Sequence, residues 1–316
     1  MNALLNVSLP VFGVIFCGYL SARVRILGPQ STEALNSFVY YFALPALLFI
    51  FVARAPVERI FYTPFLAAWG GGLAITFFLM LFLSRVLYGD GLGVMTLRAM
   101  NAVFANTGYM GIPLVMTAYG ESAALPAIMA TVTMSVVFIP LMIMLLEIDR
   151  RGETDPAAIV GGVGMALIKN PIVIPVALGV VVTLTEFSLP LPLAKLSELL
   201  GNAAGPCALF AMGMFSAGQS LRSGIAETSV MTVTKLVVHP LVTWLLVTRV
   251  FEMDHLWAVV TVIVAGLPTG ATCFVLAQRY GVFVARTSSV TLASTLLSVI
   301  TVSALLAMVK TTIPAT

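Results

Sequence analysis

The sequence predicts an all-α polytopic membrane protein: ten transmembrane helices in a five-plus-five inverted repeat, with the fourth and ninth helices broken. Three observations predict it. Hydrophobic residues make up 60% of the 316 residues and charged residues only 9%, far below the roughly 25% of a soluble domain, so most of the surface must face lipid. The apolar residues form ten runs, each near the roughly 20 residues that span a bilayer. Proline and glycine landmarks also recur in the same order in both halves of the chain.

The runs cover about 4–22, 34–53, 63–88, 97–118 and 123–146; after the polar stretch Glu147–Pro156 they continue at about 167–187, 195–219, 228–250, 256–279 and 284–309. The chain thus divides into a first repeat at 1–150, a cytoplasmic connecting loop at 151–166 and a second repeat at 167–316. Helices are expected because hydrocarbon leaves backbone groups no outside partner, and the runs are too long for barrel strands of about 10 residues. No basic segment precedes the first run and no small-residue cleavage pattern follows it, so residues 2–22 read as a retained helix rather than a signal peptide.

Orientation follows from counting cations. Ten fall in odd-numbered loops (Arg23, Arg25, Arg85, Arg98, Arg150, Arg151, Lys169, Arg222, Arg279, Arg286) and five in even-numbered loops or termini (Arg54, Arg59, Lys195, Arg249, Lys310). The positive-inside rule then places the odd loops in the cytoplasm and both termini outside. A multi-pass protein of the inner (plasma) membrane is expected.

Composition also excludes. The net charge of +3 is small and dispersed, which argues against a nucleic-acid partner. Cys17, Cys207 and Cys273 lie in apolar runs without the spacing of a disulfide framework or zinc site, and neither metal nor cofactor is expected. The chain lacks HExxH, paired membrane carboxylates and Gly-x-Ser-x-Gly, so it is not read as an enzyme.

The repeat rests on paired landmarks. Gly111-Ile112-Pro113 is matched by Gly266-Leu267-Pro268, 155 positions later, and Pro45 by Pro206, 161 positions later. Pro10 has counterparts in Pro171 and Pro175. Five is odd, so successive halves must enter the membrane from opposite sides, an architecture recurrent among secondary carriers.

The candidate site follows from these landmarks. In Asn106-Thr107-Gly108-Tyr109-Met110-Gly111-Ile112-Pro113, two glycines and a proline weaken one spanning helix. Gly266-Leu267-Pro268-Thr269-Gly270 does the same in the ninth. Broken backbone is tolerated in a membrane where it lines a cavity. Two helix starts turned on one water-accessible spot would offer free N–H groups and positive dipole ends to an anion. The competing reading is close-packing glycines and ordinary proline kinks.

The eighth helix carries a polar stripe, Thr228, Thr232, Lys235, His239 and Thr243, on one face. A lysine at this depth costs at least about 2.5 kcal/mol on insertion scales and should face the bundle interior or water. No carboxylate lies in the spanning runs near mid-membrane to pair with it, so a substrate carboxylate is a candidate partner; snorkelling to the headgroups is the alternative. His239 is either a proton-coupling group or a hydrogen-bonded packing residue. In the tenth helix, Thr287, Thr291, Ser294, Ser298 and Thr301 share a face, which suits helix–helix hydrogen bonding first and a polar path second. Glu33 reads as a first-turn residue of the second helix.

The stretches Asn106–Leu114 and Gly266–Phe274, with the five-plus-five layout, resemble the auxin efflux carrier family over essentially the whole chain. The resemblance implies ten helices with the two broken ones crossing at a central site. It implies a scaffold of the first, second, sixth and seventh helices, and a moving transport bundle of the other six. Elevator-like transport follows, often in a homodimer, with Asn106, Pro113 and Pro268 lining the substrate site. The second half has no asparagine before its Gly-Leu-Pro. The short central loop places the chain nearest the compact bacterial branch, which includes malonate and malate carriers.

The function expected is therefore secondary active transport of a small organic anion, a carboxylate such as malonate or another dicarboxylate, with proton or sodium as coupling ion. An anion channel, or a carrier of an amphipathic weak acid, is the alternative.

Overall fold

Long apolar runs with few breakers leave the backbone little choice but helix. The computed structural model describes residues 2–151, 161, 164–165, 167–219 and 224–313. The connecting loop expected at 151–166 lies mostly outside the described residues, as does Arg222. Among the described residues the only β structure is one isolated bridge, Ala105 with Thr269.

In chain order the helices are α1 (Asn2–Arg23), α2 (Pro29–Phe38), α3 (Leu44–Ala53), α4 (Val57–Ile60), α5 (Thr63–Tyr88), α6 (Leu92–Val103), α7 (Ile112–Tyr119), α8 (Ala124–Thr133) and α9 (Ile139–Arg151). After the connecting segment come α10 (Val173–Leu184), α11 (Leu191–Ala217), α12 (Ile225–Val233), α13 (His239–Arg249), α14 (His255–Ala265), α15 (Thr272–Tyr280) and α16 (Val284–Thr312).

Six helical stretches among the described residues are long and apolar enough to cross a membrane: Pro29–Ala53, Val57–Tyr88, Glu121–Arg150, Leu191–Ala217, Ile225–Arg249 and Val284–Val309. The fourth and ninth expected spans fall short because each is split, into α6 and α7 and into α14 and α15. Ser8–Arg23 and Val173–Leu184 are shorter apolar helices. The second helix begins at Pro29, where a proline at N1 costs no hydrogen bond, so Glu33 sits in its second turn and is not the first-turn residue expected.

Four spans contain a wide π turn, at Val39–Ala43, Thr107–Gly111, Met134–Phe138 and Thr234–Val238. Each ends two residues before a proline: Pro45, Pro113, Pro140 and Pro240. A proline lacks the N–H for its i−4 carbonyl and its ring collides with that carbonyl. One extra residue opens the turn and relieves the collision.

The chain forms two compact units. The first comprises 1–63, 107–132 and 168–218; the second comprises 64–106, 133–167 and 219–316. Each draws on both sequence halves. The first unit holds α1, α2, α3, α10 and α11, the expected scaffold, and adds 107–132, which the resemblance assigned to the moving bundle. The reason is local packing: a Cβ on Gly205 of α11 would lie 3.2 Å from the Pro113 ring.

Within the first unit, helices meet backbone to backbone. A side chain at Gly18 would strike the carbonyl of Phe210, and one at Gly213 the carbonyl of Ile15. Small residues permit this approach where lipid supplies no hydrophobic drive. The Thr183 hydroxyl donates to the Val52 carbonyl at 2.8 Å. Arg54, which the charge count left on the unfavoured side, pairs with Glu198 at 2.6 Å.

The second unit packs aromatic rings, Phe65 on Trp257 and Phe77 and Phe104 on Phe138. It also buries an ionic cluster. Arg98, 2% exposed, pairs with Asp90 at 2.8 Å and Glu227 at 3.4 Å, and Arg286 reaches Glu227 at 3.1 Å. The guanidinium lies over the Tyr88 ring, 3.9 Å from its centroid. The sequence placed Arg98 among solvated loop charges. Its helix begins at Leu92, earlier than the apolar run indicated, so Arg98 falls inside α6.

Candidate functional site

The site is built where α6 and α14 stop. After Val103 the chain turns extended at Phe104, with φ −70° and ψ 99°. After Ala265, Gly266 closes the last turn and helix does not resume until Thr272. The two interruptions meet. Asn106 N–H donates to the Pro268 carbonyl at 2.9 Å, and Gly270 N–H donates to the Phe104 carbonyl at 3.0 Å. They flank the antiparallel pair Ala105–Thr269. Two helix breaks thus satisfy each other by a two-bond fragment of β-ladder, the solution that hydrocarbon demands of non-helical backbone.

Close approach explains the glycines. A side chain at Gly270 would lie 3.0 Å from the Phe104 ring, and one at Gly266 would strike Leu305. At Gly108 a Cβ would make only ordinary contacts, the nearest at 3.6 Å to Thr131.

Side chains secure the crossing. Thr269 N–H donates to the Ser294 hydroxyl at 3.1 Å, and the Thr269 hydroxyl donates to the Asn101 carbonyl at 2.8 Å. Asn101 Nδ2 donates to the Leu97 carbonyl at 2.8 Å and to Thr287 Oγ1 at 2.9 Å, while its buried Oδ1 has no partner among the described residues. Thr287 and Ser294 belong to the hydroxyl face of α16, so that face buttresses the ninth-helix break as well as packing against neighbours.

Lys235 and His239 are fully buried, as is Thr243, and Thr228 and Thr232 nearly so. The stripe is real. The lysine does not snorkel, and its partner is not the open position expected for a substrate carboxylate. Its Nζ donates to the Ala265 carbonyl at 2.6 Å and lies 3.3 Å from His239 Nδ1. Ending α14 early exposes its last carbonyls, and a lysine suits that negative dipole end.

The second unit therefore brings together Asn106, Gly266, Pro268, Thr269 and Gly270, with Lys235 and His239 at the end of α14. Thr107, Gly108, Gly111 and Pro113 belong to the first unit. Two expectations are corrected. The amides of Asn106, Thr269 and Gly270 are not free for an anion, because the crossing itself consumes them. Nor is the spot open to water: residues 103–107 and 261–270 are all buried, with Gly108 and Pro113 half-buried. Asn101 and Arg98 were missed. The rule that singled out Lys235, a polar group deep in an apolar run, would have found Asn101.

An apolar chain that is almost wholly helical, with six membrane-length helices among its described residues and two helices broken against one another, is a multi-pass membrane protein of the transporter class. The chain belongs to the Membrane transport protein family, the family of the auxin efflux carriers, whose model matches residues 4–306. It is 33% identical to the "Putative malonate transporter" of Rhizobium meliloti strain 1021, over 98% of this chain and 97% of that protein. It is 25% identical to the uncharacterized transporter YfdV of Escherichia coli K12, over 92% of each chain. An uncharacterized transporter of Methanothermobacter thermautotrophicus is also 25% identical, over 92% of this chain and 94% of that one.

Proposed function

We propose that the chain is a secondary carrier for a small organic anion of the carboxylate class, malonate first among candidates, working by elevator-like alternating access. The observation that carries this is the bridge between Ala105 and Thr269. A membrane protein does not interrupt two helices at one place for stability alone. Broken helices at the bundle centre are where carriers bind substrate. The similarity to a protein named for malonate transport supports the substrate class.

In this proposal the ten helices form the five-plus-five inverted repeat, with termini outside the plasma membrane and two copies per assembly. Substrate is recognised in the second unit by Asn106, Gly266, Pro268, Thr269 and Gly270. The anion is held by helix-start amides that the bridge leaves over, and by the positive charge Lys235 and His239 place beside the crossing. The bridge fixes both breaks at one depth, so the site is organised before substrate arrives. Proton or sodium drives the cycle.

The test is counterflow in proteoliposomes: internal malonate should accelerate entry of labelled malonate, which a pore cannot do. Pro268→Ala and Asn106→Ala should each lower counterflow by tenfold or more at normal membrane abundance. Full activity in both variants would remove the crossing from the site.

A further inference from the structure

We propose that Lys235 and His239 form the coupling-ion site, that the ion is a proton, and that the lysine ammonium excludes sodium by occupying the carbonyl end where a metal cation would bind. This rests on the carrier reading and narrows its coupling ion to one.

In carriers with broken helices, the C-terminal ends of half-helices coordinate sodium or a proton. Here that end is Ala265, and its carbonyl takes the Lys235 Nζ at 2.6 Å. A tethered cation thus fills the position, held by a side chain with no exposed surface.

The pair can hold one proton but not two. Charged Nζ donates to Ala265 and to His239 Nδ1, which leaves the imidazole's own hydrogen on Nε2. A second proton would set two positive charges 3.3 Å apart with no carboxylate between them. Losing the first removes all charge from the pair. Among the described residues His239 Nε2 is buried without a partner, and so is Thr232 Oγ1, one turn before Lys235 on the same stripe.

The surroundings leave the charge to the pair. The turn Thr234–Val238 packs against α6, α12, α13 and α16, and α13 against α14. Arg98 of α6, Glu227 of α12 and Arg286 of α16 are bound to one another. Arg249 and His255 lie at the far ends of α13 and α14, and the side chain of Lys310 lies outside the described residues. Among the described residues the Cys273 thiol is the further titratable group acting on Lys235, and Lys235 is the one acting on His239. An anion at Pro268–Gly270, a few residues beyond Ala265, favours the charged pair. By reciprocity the proton strengthens anion binding, so the two cross together.

Trp69 reports on the pair, since its ring centroid lies 5.8 Å from that of His239. In a Trp244→Phe, Trp257→Phe background, Trp69 emission should titrate with pH as a single proton. The midpoint should be the same in sodium and choline buffers. Lys235→Met should flatten the titration and His239→Gln should shift it. In proteoliposomes, a tenfold proton gradient should support up to about tenfold malonate accumulation per proton carried, and a sodium gradient none. Emission that is flat with pH in the parent, emission that responds to sodium at fixed pH, or sodium-driven accumulation would overturn the proposal. If malonate shows no counterflow, the substrate assignment fails and the Trp69 titration alone decides.

Discussion

The two compact units solve the burial of backbone in opposite ways. In the first, α1 and α11 are continuous and touch through Gly18 and Gly213, with almost nothing polar between them. The second carries the bridge at Ala105–Thr269, and it buries Arg98, Lys235 and His239 together with a dense set of hydroxyls. Among the described residues of the first unit, buried polar side chains are confined to serine, threonine and asparagine. The contrast teaches that intact helices need only small residues to pack, whereas a break exposes amides and carbonyls that the chain must answer with side chains. Buried polarity here is largely a consequence of interruption.

The contrast can be broken at the ion pairs, the helix contact and the crossing. Arg98→Ala should cost about 3 kcal/mol, the lower end for a broken buried pair, because it takes the cation from Asp90, 15% exposed, and leaves Glu227 with Arg286 alone. Denaturant unfolding in mixed micelles would measure it, and a loss below about 1 kcal/mol would make the second unit's ionic cluster ornamental. Gly213→Leu should cost near the upper end of about 1–3 kcal/mol by forcing α1 from α11. The same titration should show it, and an unperturbed midpoint would mean the helices are not in backbone contact. Ser294→Ala should cost about 1–2 kcal/mol by orphaning the buried Thr269 amide, read as faster hydrogen exchange there. The smallest change should come from Arg54→Ala in the first unit. Its pair with Glu198 is 57% and 42% exposed, so the loss should not exceed about 1 kcal/mol.

Much of this was legible in the residues. Gly266-Leu267-Pro268 fell on the ninth-helix break itself, Gly111-Ile112-Pro113 a few residues beyond the fourth-helix break at Phe104–Asn106, and helical spacing found the buried stripe from Thr228 to Thr243. What spacing cannot give is the partner. The Lys235 carbonyl ligand lies 30 residues away and is available only because α14 stops at Ala265. Glu227 lies 129 residues from Arg98, and nothing local links them. Counting charges by loop failed for Arg98 for a related reason: a cation near the end of an apolar run can be drawn inward when two carboxylates and a tyrosine ring await it. The freed amides were foreseen, but their mutual satisfaction requires knowing that the two breaks touch.

The wide turn before Pro240 has a rotational consequence. One added residue turns everything beyond it by about 100° about the helix axis, and His239 N–H closes the widened ring on the Thr234 carbonyl. The proline therefore clocks one half of this span against the other. Were alanine to stand at 240 and the turn to tighten, α12 and α13 would keep their lengths but lose their shared azimuth, and the lysine would sweep away from the helix end it now closes.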